Sequence, residues 1–269
     1  MTTTGKYIRK ERILDRNTGK TIIVPLDHGV SEGPIPGLID LGKTVNAVAN
    51  GGANAVIGHL GLPIYGHRHH GKDVGLILHL SASTCVNPVD TNDKVLVNTV
   101  ERAIKMGADA VSVHVNVGSK TESQQLRDLG EIAGQCIEWG IPLLAMMYPR
   151  GEGLKYPEKS VQSVALAARV GAELGADIVK TYYTGDPESM REVVQGCSAP
   201  IVIAGGSKLT ERETLEMIRG AMDAGCAGLS IGRNAFQHEN PERFVAAMAK
   251  IVHGDASVEE ALSFLQKGV

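Results

Sequence analysis

LGADIVKTYYTG, residues 174–185, holds the strongest structural signal in the chain. Gly175 stands where a helix should end, Ala176, Ile178 and Val179 form a short apolar run, and Lys180 follows it. A glycine just past a helix adopts the left-handed backbone that a C-terminal cap needs. A short run rich in Ile and Val reads as a strand covered on both faces. The same succession recurs as GGANAV (51–56), MGADAV (106–111) and AGCAGLS (224–230). Helix, glycine and strand thus repeat at intervals of roughly 20 to 35 residues.

Working outward, eight apolar runs appear: TIIVPL (21–26), ANAVIGH (53–59), VGLILHL (74–80), DAVSVHV (109–115), PLLAMMY (142–148), ADIVKTY (176–182), PIVIAG (200–205) and GLSIGR (228–233). Helical patterns lie between most of them, at 92–107, 121–139, 158–174, 186–196, 210–225 and 240–253. In the first of these, Val97, Val100 and Ile104 share a face and Gly107 suits the position after the cap. The segment between the second and third runs is short, so its helix should be cut down. Eight βα units predict an α/β fold, a TIM (β/α)8 barrel. A doubly wound open sheet is the alternative, but no GxGxxG follows the first strand. No linker rich in Pro, Ser or Gly divides the chain, so residues 1–269 are expected to form a single barrel domain.

Composition removes several classes of function. The chain has 269 residues, 43% of them hydrophobic, enough for a sizeable core. Aromatics are 4% and the net charge is -3, with no basic run, so no nucleic-acid partner is expected. No apolar run approaches the length of a membrane span, and MTTTGKYIRKER lacks the apolar core of a signal peptide. A soluble, cytoplasmic protein is expected. Cys85, Cys136, Cys197 and Cys226 are scattered without CxxC spacing, so free thiols are expected.

In a barrel, chemistry sits where strands end. The runs end in Asp27 and His28, His59, His79, His114 and Asn116, Tyr148 and Arg150, Lys180, GGSK (205–208) and GRN (232–234). Polar groups therefore gather at one rim. Gly205, Gly206, Gly232 and Arg233 follow the last two strands, where barrels often bind phosphate on backbone N–H groups. Lys180 is harder to read. A buried ammonium is expensive, so it needs a partner, an exit to water or a chemical task. It can pair with a carboxylate, clamp a phosphate or act as a Schiff-base nucleophile. The last role requires a neutral amine, and an apolar strand end favours that form. Tyr148 and Asp27 could supply the proton transfers such chemistry needs, or serve as a rim residue and a helix cap.

VPLDHGV (24–30), DAVSVHVNVGS (109–119), LLAMMYPRG (143–151), GAELGADIVKT (171–181), AGG (204–206) and IGRNAFQH (231–238) together resemble the archaeal-type class I aldolase family, over nearly the whole chain. That resemblance implies a barrel enzyme in which Lys180 forms the Schiff base, Asp27 accepts a proton and Tyr148 donates one. It implies a phosphate grip of Gly205, Gly206, Gly232 and Arg233. It also implies a sugar site lined by Asp27, His28, Gly29, Val30 and Ser31 and by Tyr148, Pro149 and Arg150. The expected substrates are a phosphorylated ketose and an aldehyde, with no cofactor and no metal. Such enzymes are often homo-oligomers, decamers among them.

Within that family, DHGVSEGPIPGLID (27–40) and the MMYPRG context look closer to the members that transfer a unit onto aspartate semialdehyde, in aromatic amino acid biosynthesis, than to those that cleave fructose bisphosphate. A charge argument points the same way. A bisphosphate needs a second cationic grip across from Arg233, and the rim offers only Arg150 and Lys120, since Lys208 belongs to the same side. HRHH (67–70), with His59 and His79, raises a metal-dependent aldolase as an alternative, but no HxxxH or HxD-type ligand set is evident. A non-catalytic phosphosugar-binding regulator would keep the glycines without needing Lys180, Tyr148 and Asp27 together.

Overall fold

Eight parallel strands close into a barrel in the order of the sequence. They are β1 (Thr21–Pro25), β2 (Ala55–Gly58), β3 (Gly75–His79), β4 (Ala110–Val117), β5 (Leu143–Pro149), β6 (Ile178–Thr181), β7 (Ile201–Ala204) and β8 (Gly228–Ser230), with β8 pairing back onto β1. The computed structural model describes residues 4–68, 71, 73–86 and 90–267. His69 and His70 of the histidine-rich segment lie outside the described residues. No helix among the described residues is long and apolar enough to cross a membrane.

The glycine signal has a structural cause. Gly52, Gly107, Gly175 and Gly225 all have positive φ, between 81° and 101°. After each, the next residue donates its N–H five residues back: Ala53 to Val48, Ala108 to Ala103, Ala176 to Gly171, Cys226 to Ala221. This is the six-to-one bond of a Schellman cap. It turns the chain from helix into strand with no loop to spare.

The residue after that turn has a second task. Asn54 Oδ1 accepts from Ile22 N at 2.8 Å, Asp109 Oδ2 from Leu76 N at 2.9 Å, and Asp177 Oδ2 from Leu143 N at 3.0 Å. Each side chain caps a backbone donor near the start of the preceding strand. These caps gather at the N-terminal end of the barrel. There the helix Thr4–Lys10 lies across it, with Lys6 and Lys10 on Asp177 at 2.7 and 3.1 Å and Arg12 paired to Asp109 and Asp73.

Five of the expected helices form with ends within three residues of the predicted ones: Glu122–Trp139, Val161–Glu173, Pro187–Gln195, Glu211–Asp223 and Pro241–Val252. The helix between β2 and β3 is cut down to Gly61–Tyr65, as expected. The pattern at 92–107 yields a helix only over Val100–Lys105. Before it, Val95 and Leu96 pair antiparallel with Ala82 and Ser81. Thr99 then accepts the Arg102 N–H and starts the helix there. Val97, placed on the helical face by its spacing, is instead 45% exposed. Alternating Val95 and Val97 suit extended backbone as well as helix, and the pairing with 81–82 decides between them. The helices Thr4–Lys10, Leu41–Asn50, Arg233–Phe236 and Val258–Gln266 have no counterpart in the sequence reading, and His28–Glu32 has one only in the cap position at Asp27.

Candidate active site

A cavity of about 380 Å³ opens at the C-terminal ends of the strands, a size typical of small-molecule sites. Lys180 enters it from β6, in register with Met146 of β5 and Val202 of β7. Strand side chains alternate, so Tyr182 above Lys180, and Met146 and Tyr148 on β5, share its face and line the same cavity. Lys180 is 6% exposed, and no hydrogen bond or ion pair joins its ammonium to any described residue. Burial lowers its pKa to about 8; Asp27 pulls it up and the Arg150 guanidinium pushes it down. At pH 7 about one lysine in ten is then neutral, against roughly one in a few thousand for an ordinary lysine.

Asp27 occupies the N-cap position of the helix His28–Glu32, yet its side chain makes no capping hydrogen bond. The carboxylate turns into the cavity instead, 3.5 Å from His28 Nδ1 and 3.9 Å from His79 Nε2. Burial opposes its charge. His79, His28 and Lys180 outweigh that, and the carboxyl titrates at about 2. Asp27 therefore stays ionised at neutral pH. His79 is lowered to about 3, burial outweighing the pull of Asp27, and its Nδ1 is 2.8 Å from Ser112 Oγ. Burial also lowers His28 and His59, and holds His114 well below the ordinary histidine range. Beside Lys180, Asp27 is an ionised carboxylate set among neutral imidazoles.

Tyr148 stacks obliquely between His114 and Tyr182, with ring centroids 5.0 and 4.8 Å away. Burial raises its pKa, so the hydroxyl keeps its proton. Arg150 lies over both tyrosine rings, its guanidinium carbon 4.6 Å from Tyr148 and 5.4 Å from Tyr182. Its Nε donates to the Tyr182 hydroxyl.

On the other side, Gly205, Gly206, Gly232 and Arg233 all reach the cavity. A side chain at Gly232 would strike His28 and the Pro25 carbonyl, at 2.7 and 2.8 Å. Gly206 has φ of 67°. Asn234 ties this loop together, donating to the carbonyls of Gly205 and Ser207 and accepting from Leu209 N. Arg233 donates to the Gly206 carbonyl and lies 3.6 Å from Glu32. Its Nε and the Ser230 hydroxyl are buried with no hydrogen-bond partner.

His28, Ser31, His59 and His79 line the cavity, whereas Gly29, Val30 and Pro149 are not on its wall. Gly29 and Val30 face outward on the short helix, and Pro149 is buried in the β4–β5 pairing. Lys120 pairs with Glu152 at an exposed position and, like Lys208, takes no part in the wall. Lys94, absent from the rim read off the sequence, does line it. Among the described residues, the cations across the site from Arg233 are thus two, Arg150 and Lys94, and charge alone no longer argues against a bisphosphate. No group of three His, Cys, Asp or Glu among the described residues is placed to hold a metal ion. All four cysteines are free thiols.

Known proteins carry the same pattern. A 2-amino-3,7-dideoxy-D-threo-hept-6-ulosonate synthase of Halobacterium salinarum is 43% identical over 98% of this chain and 97% of its own. A second such synthase, from Archaeoglobus fulgidus, is 44% identical over 97% and 95%. An archaeal fructose-1,6-bisphosphate aldolase, solved with its catalytic lysine covalently bound to the carbinolamine intermediate, superimposes with a TM-score of 0.83 at 31% identity, over 92% of this chain and 99% of that one. A family profile described as DeoC/LacD family aldolase matches residues 21–238. The chain belongs to the DeoC/LacD aldolase family.

Proposed function

We propose that this protein is a Schiff-base transaldolase, transferring a three-carbon unit from 6-deoxy-5-ketofructose 1-phosphate to L-aspartate semialdehyde. The observation that carries the chemistry is Lys180, buried, unpaired among the described residues and weakly basic beside Asp27 and Tyr148. Its amine adds to the donor ketone, and loss of water gives the iminium. Cleavage of the C3–C4 bond sends its electron pair into an enamine, and an aldehyde departs. The enamine then attacks the carbonyl carbon of the second aldehyde, and water releases the product and regenerates the amine. Asp27, ionised, accepts the hydroxyl proton in cleavage; Tyr148, protonated, gives a proton to the new alkoxide and recovers one from Asp27, so both groups return to their starting states. Gly205, Gly206, Gly232 and Arg233 hold the phosphate.

The acceptor follows from the relatives. A 2-amino-hept-6-ulosonate has seven carbons, an amino acid at one end and a ketone near the other. It is a four-carbon amino acid aldehyde joined to a three-carbon ketone unit. Synthases of this product are 43% and 44% identical to the chain, whereas the fructose-bisphosphate aldolase is 31% identical. Assembly into homo-oligomers and a place in the cytoplasm belong to the same reading.

Borohydride added with the ketose donor should attach the sugar to the peptide holding Lys180, and EDTA should leave turnover intact. Donor plus aspartate semialdehyde should yield the amino-heptulosonate. Chelator inhibition without a lysine adduct would overturn the Schiff-base reading. Efficient cleavage of fructose 1,6-bisphosphate, with no amino-heptulosonate from the first pair, would reassign the enzyme as a bisphosphate aldolase.

A further inference from the structure

Lys94 is the cavity cation that the reaction as described leaves without a task. It comes from the segment between β3 and the helix Val100–Lys105, not from a strand end. Its position is nevertheless built. Ser81 and Ala82 pair with Leu96 and Val95 just beyond it. On its other side, the carbonyl of Asn92 accepts from Asn116 Nδ2 at 2.7 Å and from Gln125 Nε2 at 2.9 Å, both side chains buried. The Lys94 ammonium itself donates to Ser83 Oγ. No carboxylate among the described residues forms an ion pair with Lys94 or with Arg150. Each stands within the other's field, and burial followed by Arg150 lowers the pKa of Lys94. Asp27, Asp93 and Asp90 offset this only in part, and two cations facing one cavity are costly unless an anion joins them.

The anion has a defined place. In the closed order, β7 and β8 carry Gly205, Gly206 and Arg233, while β3, β4 and β5 form the opposite wall. Lys180 on β6 stands between them. The unit left on Lys180 is C4–C6 of the donor and carries no charge, because the phosphate departs with C1–C3, so an anion that meets Lys94 and Arg150 on this wall is supplied by the incoming aldehyde. Arg150 lies over two tyrosine rings and is tied to Tyr182 by its Nε, which leaves its terminal N–H groups to form a fork.

We propose that Lys94, together with Arg150, binds the carboxylate of the incoming amino acid aldehyde and so sets acceptor specificity. This rests on the transaldolase reading. The two carboxylates that line the cavity are engaged elsewhere, Asp27 by the histidines and Glu32 beside Arg233.

The test compares kcat/KM for aspartate semialdehyde with that for butanal, an uncharged four-carbon aldehyde, using the same donor. In Lys94→Gln the ratio of the two should fall at least tenfold, with the change mainly in KM for aspartate semialdehyde. Lys94→Arg, which keeps the charge, should restore most of it. Borohydride trapping of the donor on Lys180, measured in the wild type, tests the underlying reading separately: without an adduct that reading falls. With the adduct present, an unchanged ratio in Lys94→Gln, or equal losses on both aldehydes, overturns the assignment of Lys94. A loss seen only as weaker discrimination between fructose 1,6-bisphosphate and fructose 1-phosphate also overturns it, because the anion held would then be a phosphate.

Discussion

Lys180 resolves a conflict between burial and charge by giving up part of its basicity. Its pKa of about 8 predicts a rate that rises with pH through that value as the amine loses its proton. Neighbours fix the direction in which the limb moves. Asp27 stabilises the ammonium, so Asp27→Asn should shift the limb to lower pH as well as slowing proton transfer. Arg150 disfavours it, so Arg150→Met should shift the limb to higher pH. Initial rates of borohydride-trapped adduct, measured from pH 6 to 10, report the amine without relying on turnover. A limb that stays in place in both variants would remove these residues from the tuning. Tyr148 offers a cleaner deletion, since Tyr148→Phe loses one hydroxyl and little volume. A group that transfers a proton contributes about 10²- to 10⁴-fold. Turnover should drop on that scale while circular dichroism and unfolding stay close to wild type.

Elements decide which residues the sequence could reveal. Lys180, Tyr148 and Asp27 were legible because they end or directly follow apolar runs, and strand ends map to one rim of a barrel. Asn54, Asp109 and Asp177 read only as polar residues beside strands, because their caps reach donors about 33 residues away in the chain. Lys94 was illegible for a similar reason. Its placement depends on the pairing of 81–82 with 95–96, and the local pattern fits a helix equally well. The loops after β7 and β8 were legible as glycine turns, but not the stitching by Asn234 that shapes them. These loops carry their own prediction. Arg233→Ala should weaken binding of a phosphorylated ketose by about 1.5–3 kcal/mol, the range for hydrogen bonds to charged groups. Calorimetric titration with the unphosphorylated analogue should show a much smaller change. Equal losses for both ligands would place Arg233 outside the phosphate grip.

Across the whole barrel, β6 sets two opposite demands roughly 10 Å apart. Asp177, just before the strand, belongs to the N-terminal end and holds the fold: it accepts the Leu143 N–H and pairs with Lys6 and Lys10. Lys180 belongs to the C-terminal end and weakens the fold. Its folded pKa lies near 8 rather than the ordinary 10.5, so between these values the unfolded chain binds more protons. Stability therefore rises as pH increases through that window, and below pH 8 the full penalty of about 3 kcal/mol stands. Lys180→Met should raise stability at pH 7 by about 1–3 kcal/mol while abolishing the borohydride adduct. Asp177→Ala should lower stability by about 2–3 kcal/mol, because it leaves a buried N–H and two ammonium groups without their partner, and the adduct should still form. Asp177→Asn, which keeps an acceptor for Leu143, should cost less. Urea unfolding and adduct yield, measured side by side on the three variants, check the pairing. Should Lys180→Met prove less stable than wild type, the lysine would be supporting the barrel rather than straining it, and the low pKa on which the chemistry depends would be wrong.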